Sequence, residues 1–167
     1  EEEIAKECPW AANGHGLKNR QPNYITSLEL DSAVMEQRNI ALQKKYAECA
    51  EKEVRYEEIH CDDAEYIIVA FGSASRISRK AMDILRAQGV KVGLFRPITL
   101  WPFPTKRLKE LSKQVKGMLV MEINAGQMVF DVRAAVEYSI PVEHFGRLGG
   151  IVPSPDEIVD ALNKMRK

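Results

Sequence analysis

Apolar positions change their spacing along the chain, and each change marks an element. Residues 1–30 keep no sustained period; Pro9, Asn13-Gly14, Gly16 and Pro22 punctuate them, which predicts a loop. Asp31 is a candidate N-cap, and residues 32–53 contain neither Gly nor Pro. Met35, Leu42, Tyr46 and Cys49 recur there at helical spacing among charged residues, predicting a helix about 33 Å long. Its single narrow apolar stripe suits an arm laid across another surface better than a core helix.

From residue 54 the type of pattern alternates. Residues 54–59 form a short strand candidate. Tyr66-Ile67-Ile68-Val69-Ala70-Phe71 is a continuous apolar run, as a strand buried on both faces requires. Ile77, Ala81, Ile84 and Leu85 follow at helical spacing until Gly89. Val92–Phe95 predicts the next strand, broken at Pro97. Leu108, Leu111 and Val115 mark a helix opened by Thr105 and closed by Gly117. Residues 118–123 predict a strand, and Met128, Val132, Ala135 and Val136 the apolar face of a helix. Residues 142–145 give a last strand. Ser154-Pro155-Asp156-Glu157 then has the residue order of a capping box with proline at the first helical position.

This alternation predicts an α/β three-layer sandwich on a mostly parallel sheet. Right-handed crossovers bring the loops after the parallel strands, residues 72–75, 96–104, 122–127 and 146–153, to one sheet edge. Ligands of open α/β sheets bind at that edge. The expected divisions are a loop segment 1–30, a helical arm 31–53 and an α/β domain 54–167.

Composition narrows the function. The 167 residues are 45% hydrophobic and 29% charged, enough to bury a core and too apolar for disorder. With 24 basic and 24 acidic side chains the net charge is zero, which gives no global signal for nucleic acid. No apolar run approaches the ~20 residues that span a bilayer, so no membrane partner is expected. Residues 1–62 carry five more acids than bases, and residues 63–167 five more bases than acids. The chain opens at Glu1 rather than Met, and is expected to be a piece whose remainder holds chemistry. Cys8, Cys49 and Cys61 are spaced for neither zinc nor an iron–sulfur cluster, so free thiols, no metal and a reducing cytoplasm are expected.

The loops offer candidates of two kinds. Ser73 and Ser75, between strand and helix, together with Asn124 and Gln127, could hold a small anion or a nucleotide, although no dinucleotide or P-loop fingerprint is present. Glu122, closing a strand, either orients a ligand or a neighbouring subunit, or pairs with Arg96 or Arg147. Trp101 and Phe103 sit in a loop stiffened by Pro97, Pro102 and Pro104. They either form a protein interface or fold back over the core. Lys106, Lys109, Lys113 and Lys116 make a basic stripe, either a solvated face or a patch for an acidic partner. No nucleophile–base set or carboxylate pair is assembled, so no catalytic residue is assigned.

Several stretches together resemble one family. They are Tyr66–Ser73, Ser78-Arg79, the run from Gly89 to Pro104 that contains Arg96-Pro97-Ile98-Thr99-Leu100-Trp101-Pro102-Phe103-Pro104, Glu122-Ile123-Asn124-Ala125-Gly126-Gln127-Met128, and Phe145-Gly146-Arg147-Leu148-Gly149-Gly150. They look like the C-terminal part of the large (alpha) subunit of 2-oxoacid:ferredoxin oxidoreductases, most like the 2-oxoisovalerate (3-methyl-2-oxobutanoate) type. Tyr24-Ile25-Thr26-Ser27-Leu28 and the helix with Asn39, Leu42 and Tyr46 resemble that subunit's interdomain segment; Ala125 and Gly14-His15-Gly16 depart from the pattern. The resemblance implies a transketolase C-terminal-like domain of five strands, the first antiparallel. It implies a parent enzyme that oxidatively decarboxylates a branched 2-oxoacid to acyl-coenzyme A, using thiamine diphosphate with Mg, iron–sulfur clusters and ferredoxin. Those cofactors are expected on other domains or subunits, leaving this chain non-catalytic and assembly-bearing. Arg96, Trp101, Phe103 and Glu122 are then the expected interface. The alternatives are an autonomous anion- or nucleotide-binding module and the C-terminal domain of another thiamine diphosphate enzyme.

Overall fold

The apolar runs become the centre of a five-stranded sheet. In the computed structural model, which describes residues 8, 10–12 and 23–167, the strands are β1 (Tyr56–Ile59), β2 (Tyr66–Val69), β3 (Val92–Pro97), β4 (Gly117–Glu122) and β5 (Val142–Gly146). Their order is β1-β3-β2-β4-β5. β2, β3, β4 and β5 run parallel, and β1 runs antiparallel to β3 with Tyr56 opposite Pro97 and Ile59 opposite Leu94.

Among the described residues the helices are α1 (Ser32–Lys52), α2 (Gly72–Ala87), α3 (Thr105–Ser112), α4 (Met128–Ala135) and α5 (Pro155–Met165). Two compact units divide inside α1, at Lys44/Lys45. In the unit Glu1–Lys44, Asp31 caps α1 as expected, its Oδ1 accepting from the Ala33 and Val34 amides at 2.8 and 3.2 Å. No residue of α1 is buried. Tyr24, Ile25, Leu28 and Leu30 of the preceding segment are exposed. The loop signals Pro9, Asn13-Gly14, Gly16 and Pro22 lie outside the described residues.

In the unit Lys45–Lys167 the twofold period of the strands sorts the core to two faces. Ile67, Val69, Phe95, Met118 and Val120 pack against Leu108 and Leu111 of α3 and Met128, Val129 and Val132 of α4. Ile68, Ala70, Leu94, Leu119 and Met121 pack against Ala81, Met82 and Leu85 of α2 and Ile158, Val159 and Leu162 of α5. Such fully buried aliphatic side chains contribute roughly 1.5–3 kcal/mol each. The result is the expected three-layer sandwich with a mostly parallel sheet.

Some boundaries move. Helix α2 begins at Gly72, so Ser75 belongs to its first turn instead of to a loop. Helix α3 ends at Ser112 and Gly117 opens β4, so that glycine does not close the helix. Gly89 does stop α2, with φ of 81° in the left-handed region that side chains avoid. At α5 both halves of the capping box form: Ser154 Oγ accepts from the Glu157 amide, and Glu157 Oε2 accepts from the Ser154 amide at 2.8 Å.

Candidate functional site

The ends of the four parallel strands bring residues 70–75, 97–104, 122–127 and 146–153 to one edge, as the topology requires. The third of these is built around Glu122. This side chain is 1% exposed, and its carboxylate faces the start of α4. Oε1 accepts from the Met128 amide at 2.9 Å and Oε2 from the Val129 amide at 3.1 Å. The Gln127 amide sits 3.2 Å from both oxygens, and Asn124 Nδ2 donates to Oε1 at 3.2 Å. Asn124 Oδ1 in turn accepts from the Gly126 amide at 2.7 Å. A negative group at a helix N-terminus satisfies amides that the helix itself leaves open. Gly126 allows the bend with φ of 106°; at Gly146 a β-carbon would collide with the Asn124 carbonyl and the His144 ring. His144 Nε2 is buried 3.8 Å from Glu122 Oε2 with no hydrogen-bond partner.

The expected pairing of Glu122 with Arg96 or Arg147 is therefore corrected. Arg96 bonds Glu57 at 3.1 Å, its cross-strand neighbour in β1, and Arg147 bonds Glu157 at 2.8 Å. Glu122 is also too deep to meet a partner itself; it shapes the loop that would. The anion candidates fare similarly. The Ser75 hydroxyl donates to the Gly72 carbonyl at 2.8 Å and is buried, and Asn124 is engaged by Glu122 and Gly126. The amides that an anion would use at α4 already hold Glu122. Ser73 and the Gln127 side chain remain exposed, and α2 has no side-chain cap.

The aromatic loop divides its two rings. Phe103 is half-buried and packs against the core on the α3/α4 side, whereas Trp101 is 60% exposed. Neither both-outward nor both-inward describes them. The Ile98 and Thr99 amides donate to the Arg55 carbonyl at 2.9 and 3.1 Å, and Thr99 Oγ1 donates to the Pro102 carbonyl at 2.9 Å. Those bonds hold the loop to the strand entering β1 while the Trp101–Pro102 bond is cis. Tyr46, in the C-terminal half of α1, meets the Trp101 ring edge-on at 5.5 Å. Beside them lies an open groove of about 740 Å³ lined by Val54, Tyr56, Trp101, Phe103, Lys106 and Glu110. The basic stripe is partly neutralised: Lys109 pairs with Glu137 and Lys116 with Glu65.

One apolar loop was not singled out from the sequence. Leu148, Ile151 and Val152, after β5, are exposed, as are Ile98 and Leu100 beside Trp101. The signal was present in the unbroken Ile151-Val152-Pro153, which belongs to no periodic segment. Among the described residues no group of three or more His, Cys, Asp or Glu side chains could hold a metal, and no helix is long and apolar enough to cross a membrane.

Comparison with known proteins agrees with this geometry. The chain is 42% identical over 158 residues to the ketoisovalerate oxidoreductase subunit VorB of Methanothermobacter thermautotrophicus, covering 95% of this chain and 43% of that one. It is 32% identical over 105 residues to the 2-oxoglutarate synthase subunit KorA of Methanothermobacter marburgensis, covering 63% of this chain and 28% of that one. The chain thus spans less than half the length of these curated relatives. A solved 2-oxoglutarate:ferredoxin oxidoreductase from Magnetococcus marinus superposes with a TM-score of 0.65 at 25% identity, over 91% of this chain and 26% of that one. A split-gene transketolase shares the fold, with a TM-score of 0.58 at 20% identity over 66% of this chain and 40% of that one. The family model for pyruvate:ferredoxin oxidoreductase core domain II matches residues 64–158, which hold β2 to β5, α2 to α4 and the four edge loops, and the chain belongs to that family.

Proposed function

We propose that this chain is the core-domain-II part of a subunit of a 2-oxoacid:ferredoxin oxidoreductase of the branched-chain, 2-oxoisovalerate type, and that it serves assembly and not turnover. The observation that carries the substrate class is reach. Identity to a ketoisovalerate oxidoreductase subunit runs through 95% of the chain, whereas likeness to a 2-oxoglutarate synthase subunit covers 63%. In this reading the whole enzyme decarboxylates 2-oxoisovalerate, forms the coenzyme A thioester and passes electrons through iron–sulfur clusters to ferredoxin in the cytoplasm.

The donor set here does not fit thiamine diphosphate with Mg: the α4 amides hold Glu122, and no metal-ligating cluster is available among the described residues. Those groups belong to the remaining domain of the subunit and to other subunits. This chain's own part is mechanical. Residues 1–30 link to the preceding domain, residues 31–53 form an arm, and residues 54–167 present Trp101 as an interface anchor. Phe103 and the Arg96–Glu57 pair hold the anchor's base, and Glu122 holds the neighbouring loop. The test is the whole purified protein with its partner subunits, given coenzyme A and a viologen acceptor. Reduction faster with 2-oxoisovalerate than with 2-oxoglutarate is expected; the reverse order, or no reduction, overturns the proposal.

A further inference from the structure

The two outer strands of the sheet are finished differently. On β1 both central carboxylates are used inside the domain, Glu57 by Arg96 and Glu58 by Arg107. β5 pairs with β4 alone, and its other side is open. The Met118 amide donates to the Pro141 carbonyl at 3.0 Å, so odd-numbered residues of β5 turn their backbone groups toward β4 and even-numbered ones turn theirs outward. Arg133 covers the first outward carbonyl, that of Val142, at 2.9 and 3.1 Å. The outward groups of His144 and Gly146 have no hydrogen-bond partner among the described residues.

Along that open side, on the α5 face, runs a groove of about 480 Å³. Phe145, Ala161 and Met165 line it, each half-buried against the core. Its charges sit at its two ends. Helix α5 runs antiparallel to β5: Met165 reaches the start of β4 beside Pro141, and Glu157 meets Arg147 at 2.8 Å just past the end of β5. The end where β5 starts therefore holds Glu143 and Lys164, exposed and without an ion pair among the described residues. The other end holds Arg147 and Glu157. Each end thus has one acid and one base, the acid on the strand at the first and on the helix at the second. Turned end for end, the pattern is complementary to itself.

We infer that β5 pairs antiparallel with β5 of a second copy of this chain, joining two sheets into one across a twofold axis. The charges select the register. Centred on residue 143, the pairing sets Glu143 against Glu143, which like charges disfavour. Centred on His144, it leaves Glu143 opposite Phe145. Centred on Phe145, it sets Phe145 against Phe145 and Glu143 against Arg147. The outward groups of His144 then meet those of Gly146, and the covered Val142 carbonyl stays out of the ladder. The same rotation brings Lys164 of each copy toward Glu157 of the other, with the small Ala161 between them near the axis. Exposed ion pairs add little affinity, so backbone bonds and the apolar groove hold the contact while the charges fix its direction. A foreign strand would satisfy the backbone and leave Glu143 and Lys164 unanswered. The inference is independent of the interface role given to Trp101 and of which acid is oxidised.

The test uses the whole purified protein with its partner subunits, assembled from ordinary and isotope-labelled copies of this chain. Glu143→p-benzoylphenylalanine, at an exposed position, is irradiated and its adducts are read by peptide mass spectrometry. The expected adduct joins it to the segment around Arg147 of another copy, seen as mixed light–heavy peptides. Separately, Phe145→Cys is oxidised mildly, with the unsubstituted protein as blank. It should give a disulfide between the two substituted positions, since side chains opposed in a non-hydrogen-bonded pair lie close. If Phe145→Cys does not fold, the benzophenone adducts decide alone. Adducts confined to one copy, capture of a different subunit, or silence at both positions overturns the inference. Glu143→Arg added to Phe145→Cys should lower the yield of that disulfide about fivefold at low salt and less at high salt; an unchanged yield overturns the charge-selected pairing. None of these readouts uses turnover. A crosslinked protein inert toward 2-oxoacids therefore sinks the functional reading alone, and an active one without crosslinks sinks this inference alone.

Discussion

The two edges of one sheet have been built to opposite specifications. Where the parallel strands end, the loops bury Glu122, pair Arg96 and Arg147 within the domain, and expose Ile98, Leu100, Trp101, Leu148, Ile151 and Val152. Where the strands begin, the connections carry Asp62, Asp63, Glu65, Lys91, Lys113, Lys116 and Glu137, and Tyr138 is the large apolar side chain exposed there. Ion pairs at this second edge, Asp63 with Arg86 and Glu65 with Lys116, are solvated. Solvated pairs contribute little to stability but keep a surface wet and free. The lesson is that the direction of the strands separates most of the exposed apolar loop side chains, at one edge, from most of the loop charges, at the other.

The strongest way to break this contrast is to open the contact edge from within. Glu122→Ala should lower the unfolding free energy by ~3–5 kcal/mol, since several charge-assisted bonds worth roughly 1.5–3 kcal/mol each are lost and buried amides are orphaned. Chemical denaturation reads it; a loss below ~1 kcal/mol would mean the loop is held by something else. Next comes the pair of aromatics. Phe103→Ala should cost ~2–4 kcal/mol of stability because its ring packs on the core, and Trp101→Ala about 1 kcal/mol or less. Trp101→Ala should instead weaken assembly by ~2 kcal/mol or more, measured as a shift in the midpoint of dissociation on dilution. A large drop in the denaturation midpoint of Trp101→Ala at unchanged slope would remove it from the interface.

The water-facing edge gives finer tests. Cys61 lies at its start, and burial, reinforced by the Glu58 charge, pushes its thiol up to about 12. At pH 8 that leaves roughly one thiolate in ten thousand, so native alkylation should spare Cys61 while denatured protein yields all three free thiols. Rapid native labelling of Cys61 would contradict its burial. The smallest effect is on acid stability. Arg86 and Lys116 hold the Asp63 and Glu65 carboxyls below their ordinary range, mainly through hydrogen bonds. A carboxyl depressed by folding stabilises above its unfolded pKa, near 4, and that contribution fades as pH falls through the folded value. Asp63→Asn with Glu65→Gln should therefore lower the melting temperature slightly at pH 7 and leave it unchanged once pH falls below the folded carboxyl range, so that the acid limb of the curve flattens; a loss in strong acid as large as that at pH 7 would refute the linkage.

Elements of this fold were legible because strands buried on both faces, such as Tyr66–Val69 and Gly117–Glu122, read as unbroken apolar runs. The antiparallel direction of Tyr56–Ile59 was available only through family resemblance, since four residues carry no directional signal. The site was less legible. Both arginines offered to Glu122 found partners fixed by register and by a helix cap, Glu57 and Glu157, which neighbour them only in the folded sheet. Trp101 and Phe103 differ by two positions in one loop, and the backbone path that separates their rings depends on bonds from the strand entering β1. Ser75 misled because a helix with no side-chain cap gives no residue-level mark of its start.

The inward-facing carboxylate at position 122 has a consequence for anyone reshaping this domain. It sets the path of the turn from beneath, through main-chain groups, while Ala125 and the Gln127 side chain ride on top without supporting it. Backbone shape and surface identity are thereby uncoupled. New side chains can be grafted at those two positions onto a turn whose geometry is already guaranteed, much as interchangeable tips fit a fixed handle.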